Sequence, residues 1–331
     1  MLIRAGIGDN FWHGRRVFIT GCTGFLGSWL TAALLDRGAA VTGLIRSLEP
    51  NSQLVRTGLI DQIDQVFGDL LDYDLLKRTL AERKIDTVFH FAGQTIVGVA
   101  NRAPVETFET NIRGTWLLLE AVRHTSSIRG VVVASSEKAY GEQLNLPYRE
   151  DYPLQGRHPY EVSKSCADLI AQSFAHTYGM AIAVTRCSNL FGGGDLNWNR
   201  LIPGTIRSVL NQERPILRSD GSFQRDYLFI ADAVRGNLML AEKVTEPAVR
   251  GLPFNLGSGY GVSALDVVQT IVSLSAHPEL EPIILDEVQG EILDEYLSPV
   301  QAKQIIGWEP QYTLADGLRE TMGWYRAYLN L

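Results

Sequence analysis

The segment Thr20-Gly21-Cys22-Thr23-Gly24-Phe25-Leu26-Gly27 decides the fold class of this chain. It follows a short apolar run, 16–20, and opens an amphipathic segment, 26–37. Glycines at the spacing G-x-x-G-x-x-G allow a tight turn, a close approach of the backbone to a pyrophosphate, and close packing of the helix on the strand. The N-terminus of such a helix offers free N–H groups and partial positive charge to an anion. Glycine-rich turns are common, but this position between strand and helix indicates a dinucleotide site.

Short apolar runs rich in Val and Ile alternate with longer amphipathic segments through the first half of the chain. The runs predict buried strands at 16–20, 40–45, 65–68, 87–92, 130–134 and 181–185. The longer segments predict helices at 26–37, 72–83, 104–124 and 160–178. This alternation predicts an α/β, Rossmann-like, doubly wound parallel sheet with helices on both faces. Ligands of such a sheet bind beyond the carboxyl ends of its strands.

The pattern loosens after about residue 190, where a glycine cluster, 192–194, precedes shorter segments that contain several prolines. We therefore predict a dinucleotide-binding Rossmann domain over 1–190 and a smaller substrate lobe over 191–331. No linker or charge run separates the two halves. We expect the lobe to be interleaved, with some segments returning to the first domain, and the substrate pocket to lie between them.

Composition and charge exclude several classes of protein. The chain has 331 residues, of which 45% are hydrophobic and 20% charged, as in a globular protein with a sizeable core. Its net charge of −7 provides no global attraction for nucleic acid or an anionic membrane. The three cysteines form no CxxC pair, which argues against a disulfide framework and a zinc site. Without an apolar run of about 20 residues or a signal-peptide pattern, we expect a cytoplasmic protein.

Two residues after predicted strands bear on the choice of dinucleotide. The second strand ends in Leu44-Ile45-Arg46-Ser47 and lacks the acidic residue that usually binds a ribose. Arg46 can pair with a 2′-phosphate, stack on the adenine or simply be solvated, so the sequence leaves NAD and NADP open. Asp69, after the third strand, can accept from the adenine amino group or cap the helix that begins near Asp72.

A tyrosine and a lysine four residues apart indicate proton chemistry. Tyr160 and Lys164 share one helical face at the start of the helix after the fifth strand. An ammonium beside a phenol is expected to lower the phenol pKa and make a base that takes a hydroxyl proton. Ser135 and Ser136 end the fifth strand, where a hydroxyl can hold the reacting oxygen. The pattern Y-x-x-x-K alone is commonplace. Its position at the start of the helix after the fifth strand makes a catalytic role the better interpretation.

These residues resemble the extended short-chain dehydrogenase/reductase family, the NAD-dependent epimerases and dehydratases of nucleotide sugars. The resemblance covers nearly the whole chain. Besides the glycine loop and the Ser136, Tyr160 and Lys164 set, it rests on Phe89-His90-Phe91-Ala92-Gly93-Gln94, Thr110-Asn111-Ile112-Arg113-Gly114-Thr115, Leu201-Ile202-Pro203 and Arg225-Asp226-Tyr227-Leu228-Phe229-Ile230. It implies a nucleoside-diphosphate sugar as substrate, a tightly bound NAD or NADP that is regenerated in each cycle, and a homodimer.

Within the family, segments 11–21 and 188–203 resemble the CDP-glucose 4,6-dehydratases. Dehydratases carry ionisable residues after the active-site Ser or Thr, and this chain has Glu137 and Lys138 there. The implied reaction oxidises carbon 4, removes water across carbons 5 and 6, and returns hydride to carbon 6. We assign Glu137 as the acid toward the departing hydroxyl and Lys138 to the carbon 5 proton or the enolate charge. Glu137 is one methylene longer than the family's Asp, which can misplace its carboxyl.

The resemblance implies roles for the remaining positions. The expected cofactor-binding residues are Gly21, Thr23, Gly24, Phe25, Leu26, Gly27, Arg46, Asp69, Leu70, Phe91, Ala92, Gly93, Asn111, Tyr160 and Lys164. The expected substrate-binding residues are Gln94, Ser136, Asn189, Arg200, Leu201, Arg207 and Arg225. Arg225 is expected to bind the diphosphate, with a salt bridge to Asp226 as the alternative.

Two other functions compete with the dehydratase. A 4-epimerase would use the same Tyr160 and Lys164, rotate the ketone and return hydride to its other face, leaving the mass unchanged. A non-catalytic NAD(P)-binding sensor or scaffold is the alternative of another class. Such proteins tend to lose the Tyr or the Lys, whereas this chain keeps both.

Overall fold

The computed structural model describes residues 10–287 and 292–331. Its strands, in chain order, are β1 (Arg16–Thr20), β2 (Ala40–Ile45), β3 (Asp64–Phe67), β4 (Thr87–His90), β5 (Gly130–Ala134), β6 (Ile182–Cys187), β7 (Asn189–Phe191), β8 (Ile216–Leu217), β9 (Gln224–Arg225), β10 (Tyr227–Phe229), β11 (Pro253–Leu256), β12 (Val262–Ser263), β13 (Ile283–Ile284) and β14 (Asp294–Glu295).

The helices connect and cover these strands. In chain order they are α1 (Phe25–Asp36), α2 (Gln53–Arg56), α3 (Tyr73–Glu82), α4 (Val97–Arg102), α5 (Pro104–Phe108), α6 (Gly114–Arg123), α7 (Pro159–Tyr178), α8 (Leu201–Leu210), α9 (Ile230–Lys243), α10 (Ala264–Leu274), α11 (Val300–Ile306) and α12 (Leu314–Leu329). Single turns of 3₁₀-helix lie at Leu59–Gln62 and Glu137–Tyr140. None of the helices in these two stretches is long and apolar enough to cross a membrane.

Among the described residues, seven strands form one parallel sheet in the order β3-β2-β1-β4-β5-β6-β11. This arrangement confirms the predicted α/β doubly wound fold. The strand order reverses between β1 and β4, which opens a crevice at their carboxyl ends. The predicted fourth strand runs two residues too far, because the chain leaves the sheet after His90. Phe91 and Ala92 therefore lie at that crevice.

Side chains on the two faces of the sheet enter two separate hydrophobic cores. On β1, Val17 and Ile19 belong to one core and Phe18 to the other, as the alternation of side chains along a strand requires. The same alternation separates Phe89 from Val88 on β4. Burial on both faces explains why these strands read as continuous apolar runs rather than as alternating ones. The polar groups that bind a ligand are thereby confined to the strand ends.

The glycine loop requires glycine at two of its positions for different reasons. Gly21 has φ of +77°, and a Cβ there would lie 2.7 Å from the backbone N of Ala92. Gly27, in the first turn of α1, would place a Cβ 2.0 Å from the carbonyl oxygen of Gly21. A side chain at Gly21 would collide with the chain that follows β4, and one at Gly27 would push α1 away from the loop. The loop thus sets α1 close against the ends of β1 and β4.

The segment predicted as one helix, 104–124, departs from that prediction in its middle. It consists of α5, a π-helical turn at Glu109–Arg113, and α6. Within the π turn, the Asn111 amide donates to the carbonyl of Gln94 and to Ser163 Oγ, at 3.0 and 2.9 Å. Its Oδ1 accepts from the backbone N of Gln94 at 2.7 Å. These contacts tie the turn to the loop after β4, and single-turn π bulges of this kind are frequent at functional sites.

We expect Gly27→Ala to destabilise the protein by about 1–3 kcal/mol, because backbone atoms must move to admit the methyl group. Urea denaturation followed by circular dichroism measures the change. Gly323→Ala is the matched control, since Gly323 is an exposed glycine of α12 where an added methyl group would meet no atom within 4 Å. It should stabilise by about 0.5–1 kcal/mol. Equal effects of the two substitutions would contradict the packing argument.

Candidate active site

A cleft of about 880 Å³ runs along the carboxyl ends of the strands and under α8. Most residues predicted for the cofactor and the substrate line it. They are Gly21, Thr23, Gly24, Phe25, Leu26, Gly27, Arg46, Asp69, Leu70, Phe91, Ala92, Gly93, Gln94, Ser136, Glu137, Lys138, Tyr160, Lys164, Asn189, Arg200 and Leu201. Residues from both halves of the sequence thus share one cavity.

The end of the cleft beside α1 is suited to an anion. Gly24 is the N-cap residue of α1, no side chain caps the helix there, and its first turn contains no acidic residue. The first N–H groups of a helix attract negative charge such as a phosphate. Arg46 is exposed on the cleft wall after β2. Asp69 accepts a hydrogen bond from the backbone N of Leu71 at 2.9 Å, while Asp72 caps α3.

Ser136, Tyr160 and Lys164 line the cleft together. A hydrogen bond joins the Tyr160 phenol to Ser136. Lys164 is 5% exposed, and its Nζ donates to the carbonyl oxygen of Ala134 at 2.9 Å. The helix that carries both residues begins just before Tyr160, because Glu161 accepts from the backbone N of Arg157 and of His158.

The titration of this pair differs from the expectation. Burial raises the pKa of Tyr160, and the hydrogen bond from Ser136 only partly opposes this effect. Burial also lowers the pKa of Lys164 to about 8. The net shift of the Tyr160 pKa is therefore upward, opposite to the predicted lowering, because loss of solvent around the phenol is its largest cause.

Glu137 is a buried carboxyl at the end of β5, with 2% of its surface exposed. Its Oε1 accepts from the Asn189 amide at 2.6 Å. Its Oε2 is buried and has no hydrogen-bond partner among the described residues. Burial, followed by the negative charge of Glu295, raises the pKa of Glu137 well above its ordinary value, and Lys138 opposes the shift. Such a shift favours the protonated carboxyl, which is the form that can donate a proton.

Lys138 also lines the cleft, and its ammonium forms an ion pair with Glu295 Oε2. Glu295 is fully buried in β14 and is a residue that sequence reasoning did not single out. Its strand has two residues and no recognisable motif, and Lys138 is 157 positions away. No signal in a single sequence could have paired them.

Three predicted site residues are not among those that line the cleft. Asn111 lies behind it, bonded to Gln94 and Ser163 as described above. Arg207 is exposed on α8, with its guanidinium 5.1 Å from the centre of the Trp198 ring. Arg225 lies 3.4 Å from Glu295 and donates to the carbonyls of Ile292 and Leu293, both at 2.7 Å.

A buried polar network fixes the turn that carries Glu137 and Lys138. Arg186 donates to both oxygens of Asp168, at 2.8 and 3.1 Å, and to the Tyr140 hydroxyl at 2.8 Å. Tyr140 in turn donates to Asn255 Oδ1 at 2.8 Å. The turn Glu137–Tyr140 is thereby joined to α7, β6 and β11. Its geometry depends on strands from both halves of the chain.

Comparison with known proteins identifies relatives over nearly the whole chain. The sequence model of the family described as GDP-mannose 4,6 dehydratase matches residues 18–321. A CDP-glucose 4,6-dehydratase of Salmonella typhimurium is 32% identical, over 98% of this chain and 94% of its own.

Solved structures agree with the sequence relatives. A UDP-glucose 4-epimerase of Thermotoga maritima, crystallised with UDP-glucose, has a TM-score of 0.86 and 25% identity, over 95% of this chain and 99% of its own. A dTDP-glucose 4,6-dehydratase of Bacillus anthracis, in complex with NAD, has a TM-score of 0.83 and 26% identity, over 95% of this chain and 97% of its own. Dehydratases and epimerases thus share this fold and this chain length.

We expect Lys164→Met to raise the free energy of unfolding at pH 7 by up to about 3 kcal/mol, because it removes a buried charge. The unfolded chain binds the Lys164 proton more tightly than the folded protein, whose Lys164 pKa is about 8. Between pH 8 and the ordinary lysine pKa of 10.5, the wild type alone therefore gains stability from this group. The difference should shrink over that range in urea titrations. A difference that does not change with pH would contradict the assignment.

Proposed function

Because the chain belongs to the GDP-mannose 4,6 dehydratase family, within the extended short-chain dehydrogenases/reductases, we propose that this enzyme is an NAD(P)-dependent nucleotide-sugar 4,6-dehydratase. The observation that carries the proposal is the Glu137 carboxyl, which is buried in the cleft wall with one oxygen free of hydrogen bonds among the described residues and whose pKa is raised by that burial. Oxidation at a sugar carbon requires no such group. Loss of water requires an acid for the departing hydroxyl.

The residues present fit a dinucleotide. Gly21 and Gly27 have no side chains, so a pyrophosphate can approach the backbone of the glycine loop closely. The N-terminus of α1 lines the same cleft. The glycine loop and α1 would hold the phosphates, Arg46 and Asp69 the adenosine half, and Phe91 to Gly93 the nicotinamide half. When bound, NAD(P) supplies the hydride acceptor for carbon 4 and the donor for carbon 6.

Tyr160 and Ser136 act on the sugar hydroxyl at carbon 4. Tyr160 takes the hydroxyl proton as the base, and Ser136, hydrogen-bonded to the phenol, holds the same oxygen. Lys164 lines the same cleft, and its ammonium donates to the carbonyl oxygen of Ala134. Tyr160 can act as a base only as the phenolate, a form that burial disfavours. Lys164, whose pKa is about 8, carries its charge at neutral pH and favours that form.

Glu137 and Lys138 act on the resulting ketone. The ketone acidifies the proton on carbon 5, and the protonated Glu137 donates its proton to the hydroxyl that leaves carbon 6. The side chain of Lys138 is 22% exposed in the cleft wall. The carbon 5 proton passes either to Lys138 in its neutral amine form or to solvent in the cleft while the Lys138 ammonium stabilises the enolate charge. Asn189 holds Glu137 through Oε1 and leaves Oε2 for the proton.

A nucleoside-diphosphate hexose is the substrate we propose, with the relative from Salmonella favouring a CDP sugar. Arg200 is the cation placed for its phosphates, since it lines the cleft and is 40% exposed while paired with Asp195 at 2.9 Å. The domain division at residue 190 remains part of the proposal. So does a cytoplasmic location, where the free thiols of the three cysteines stay reduced.

A 4-epimerase is the second candidate, because epimerases have the same fold. That reaction uses Ser136, Tyr160 and Lys164, and it has no step that needs Glu137 or Lys138. Burying a carboxyl without full hydrogen bonding costs free energy, which favours the function that uses it.

We expect Glu137→Gln to slow formation of dehydrated product by about 10²–10⁴-fold, the usual contribution of a general acid. Oxidation at carbon 4 does not need Glu137, so reduced cofactor should accumulate. Mass spectrometry of the products and nicotinamide absorbance measure the two effects.

Tyr160→Phe is the matched control for that experiment. It removes the base for the first step, so neither reduced cofactor nor product should form, while cofactor binding persists. Full dehydration by the Glu137 variant would remove Glu137 from the mechanism. Unchanged turnover by the Tyr160 variant would remove Tyr160.

We further propose a homodimer that pairs through α6 and α7, which pack against each other. Trp116 on α6 and Leu169 on α7 are 40% and 56% exposed, which is unusual for large apolar side chains. Leu169→Glu should convert a dimer into a monomer in analytical ultracentrifugation. A monomeric wild type, or a variant that dimerises as tightly, would contradict this proposal.

A further inference from the structure

Glu295 is a buried carboxylate behind the cleft wall. None of its surface is exposed, and its Oε2 binds the Lys138 ammonium and lies 3.4 Å from Arg225 Nε. Its register on the edge of a small sheet opposite Arg225 fixes its position. Its Oε1 is buried without a hydrogen-bond partner among the described residues. A charge buried in this way is costly unless its partners are held in place.

Glu137 and Glu295 interact with the same cation. Their charges interact with each other, and Lys138 opposes the effect of Glu295 on Glu137. Lys138 could in principle pair with either carboxylate, but in the structure it pairs with Glu295. Glu137 is instead held by the neutral amide of Asn189.

We propose that Glu295 is a positioning residue for the elimination step: by pairing with Lys138, it keeps that ammonium away from the Glu137 carboxyl, which Asn189 holds instead. This inference rests on the proposed function, because a proton on Glu137 matters only if water is lost. Without Glu295, Lys138 would pair with Glu137, and the ionised carboxyl could no longer act as an acid.

The other groups around Glu137 do not replace Glu295. Asp226 also raises the pKa of Glu137, but Asp226 is engaged by Ser258 and by the backbone N of Leu297. Arg225 lowers it, as Lys138 does. The remaining titratable groups that interact with Glu137 are Tyr148, Tyr160, Cys187 and Tyr227. Burial raises the pKa of each of these four, so they are neutral at pH 7.

Infrared spectroscopy tests the proposal without turnover. The band of a protonated carboxyl that disappears in Glu137→Gln belongs to Glu137, and its loss with rising pH gives the titration midpoint. In Glu295→Gln that midpoint should fall by about one pH unit or more, because a like charge is removed and Lys138 is released. The alkaline limb of the dehydration rate should move with it. An unchanged midpoint, or no Glu137 band at pH 7 in the wild type, would overturn the proposal.

Control variants show whether a shift of the Glu137 midpoint is specific to Glu295. Glu242→Gln, a partly buried glutamate bonded to Trp12 whose pKa is also raised by burial, should leave the Glu137 midpoint unchanged. If Glu295→Gln does not fold, Glu295→Asp is the substitute, because it keeps the carboxylate but moves it away from Lys138. It should lower the Glu137 titration midpoint by less than Glu295→Gln is expected to. An unchanged midpoint in Glu295→Asp would also refute the proposal. A wild type that forms no dehydrated product would refute the proposed function, whereas the infrared midpoints test Glu295 independently.

Discussion

Burial of ionisable side chains at one edge of a parallel sheet is the constraint on which this site depends. Both faces of the sheet are covered, and the polar groups of the cleft lie at the carboxyl ends of the strands. There, removal of solvent raises the pKa of Glu137 and lowers that of Lys164 to about 8. The same two groups would titrate in their ordinary ranges on the surface. The fold therefore sets the protonation states, and the residue types alone do not.

Hydrogen bonds and ion pairs of the surrounding structure offset the cost of such burial. The turn that carries Glu137 is fixed by the Arg186, Asp168 and Tyr140 network. Strand β14, from near the end of the chain, supplies the carboxylate that binds Lys138. Isolated buried charges contribute little to stability, and such networks are retained where they specify geometry. Burying these charged groups costs free energy of folding, and in this protein the buried groups serve the reaction rather than the stability of the fold.

The fold class and most of the residues that line the cleft could be predicted from the sequence, because both depend on local signals. Glycine spacing, apolar runs and the positions of Tyr160 and Lys164 after predicted strands are visible within about twenty residues of sequence. The π turn around Asn111 was missed because contacts with Gln94 and Ser163, rather than helical propensity, produce it. Glu295 was missed because its partner lies 157 residues away. The direction of the Tyr160 pKa shift was wrong because a sequence shows neighbouring charges but not the loss of solvent.

The central claim is that the chemistry continues past the ketone to the loss of water. Removal of the carbon 5 proton followed by reprotonation introduces a hydrogen from solvent. We would incubate the wild-type enzyme with nucleoside-diphosphate hexoses in deuterium oxide and determine the product mass. The account predicts a product that has lost one water and carries one deuterium at carbon 5. A product of unchanged mass without deuterium, from every hexose that turns over, would contradict it and leave epimerisation as the reaction.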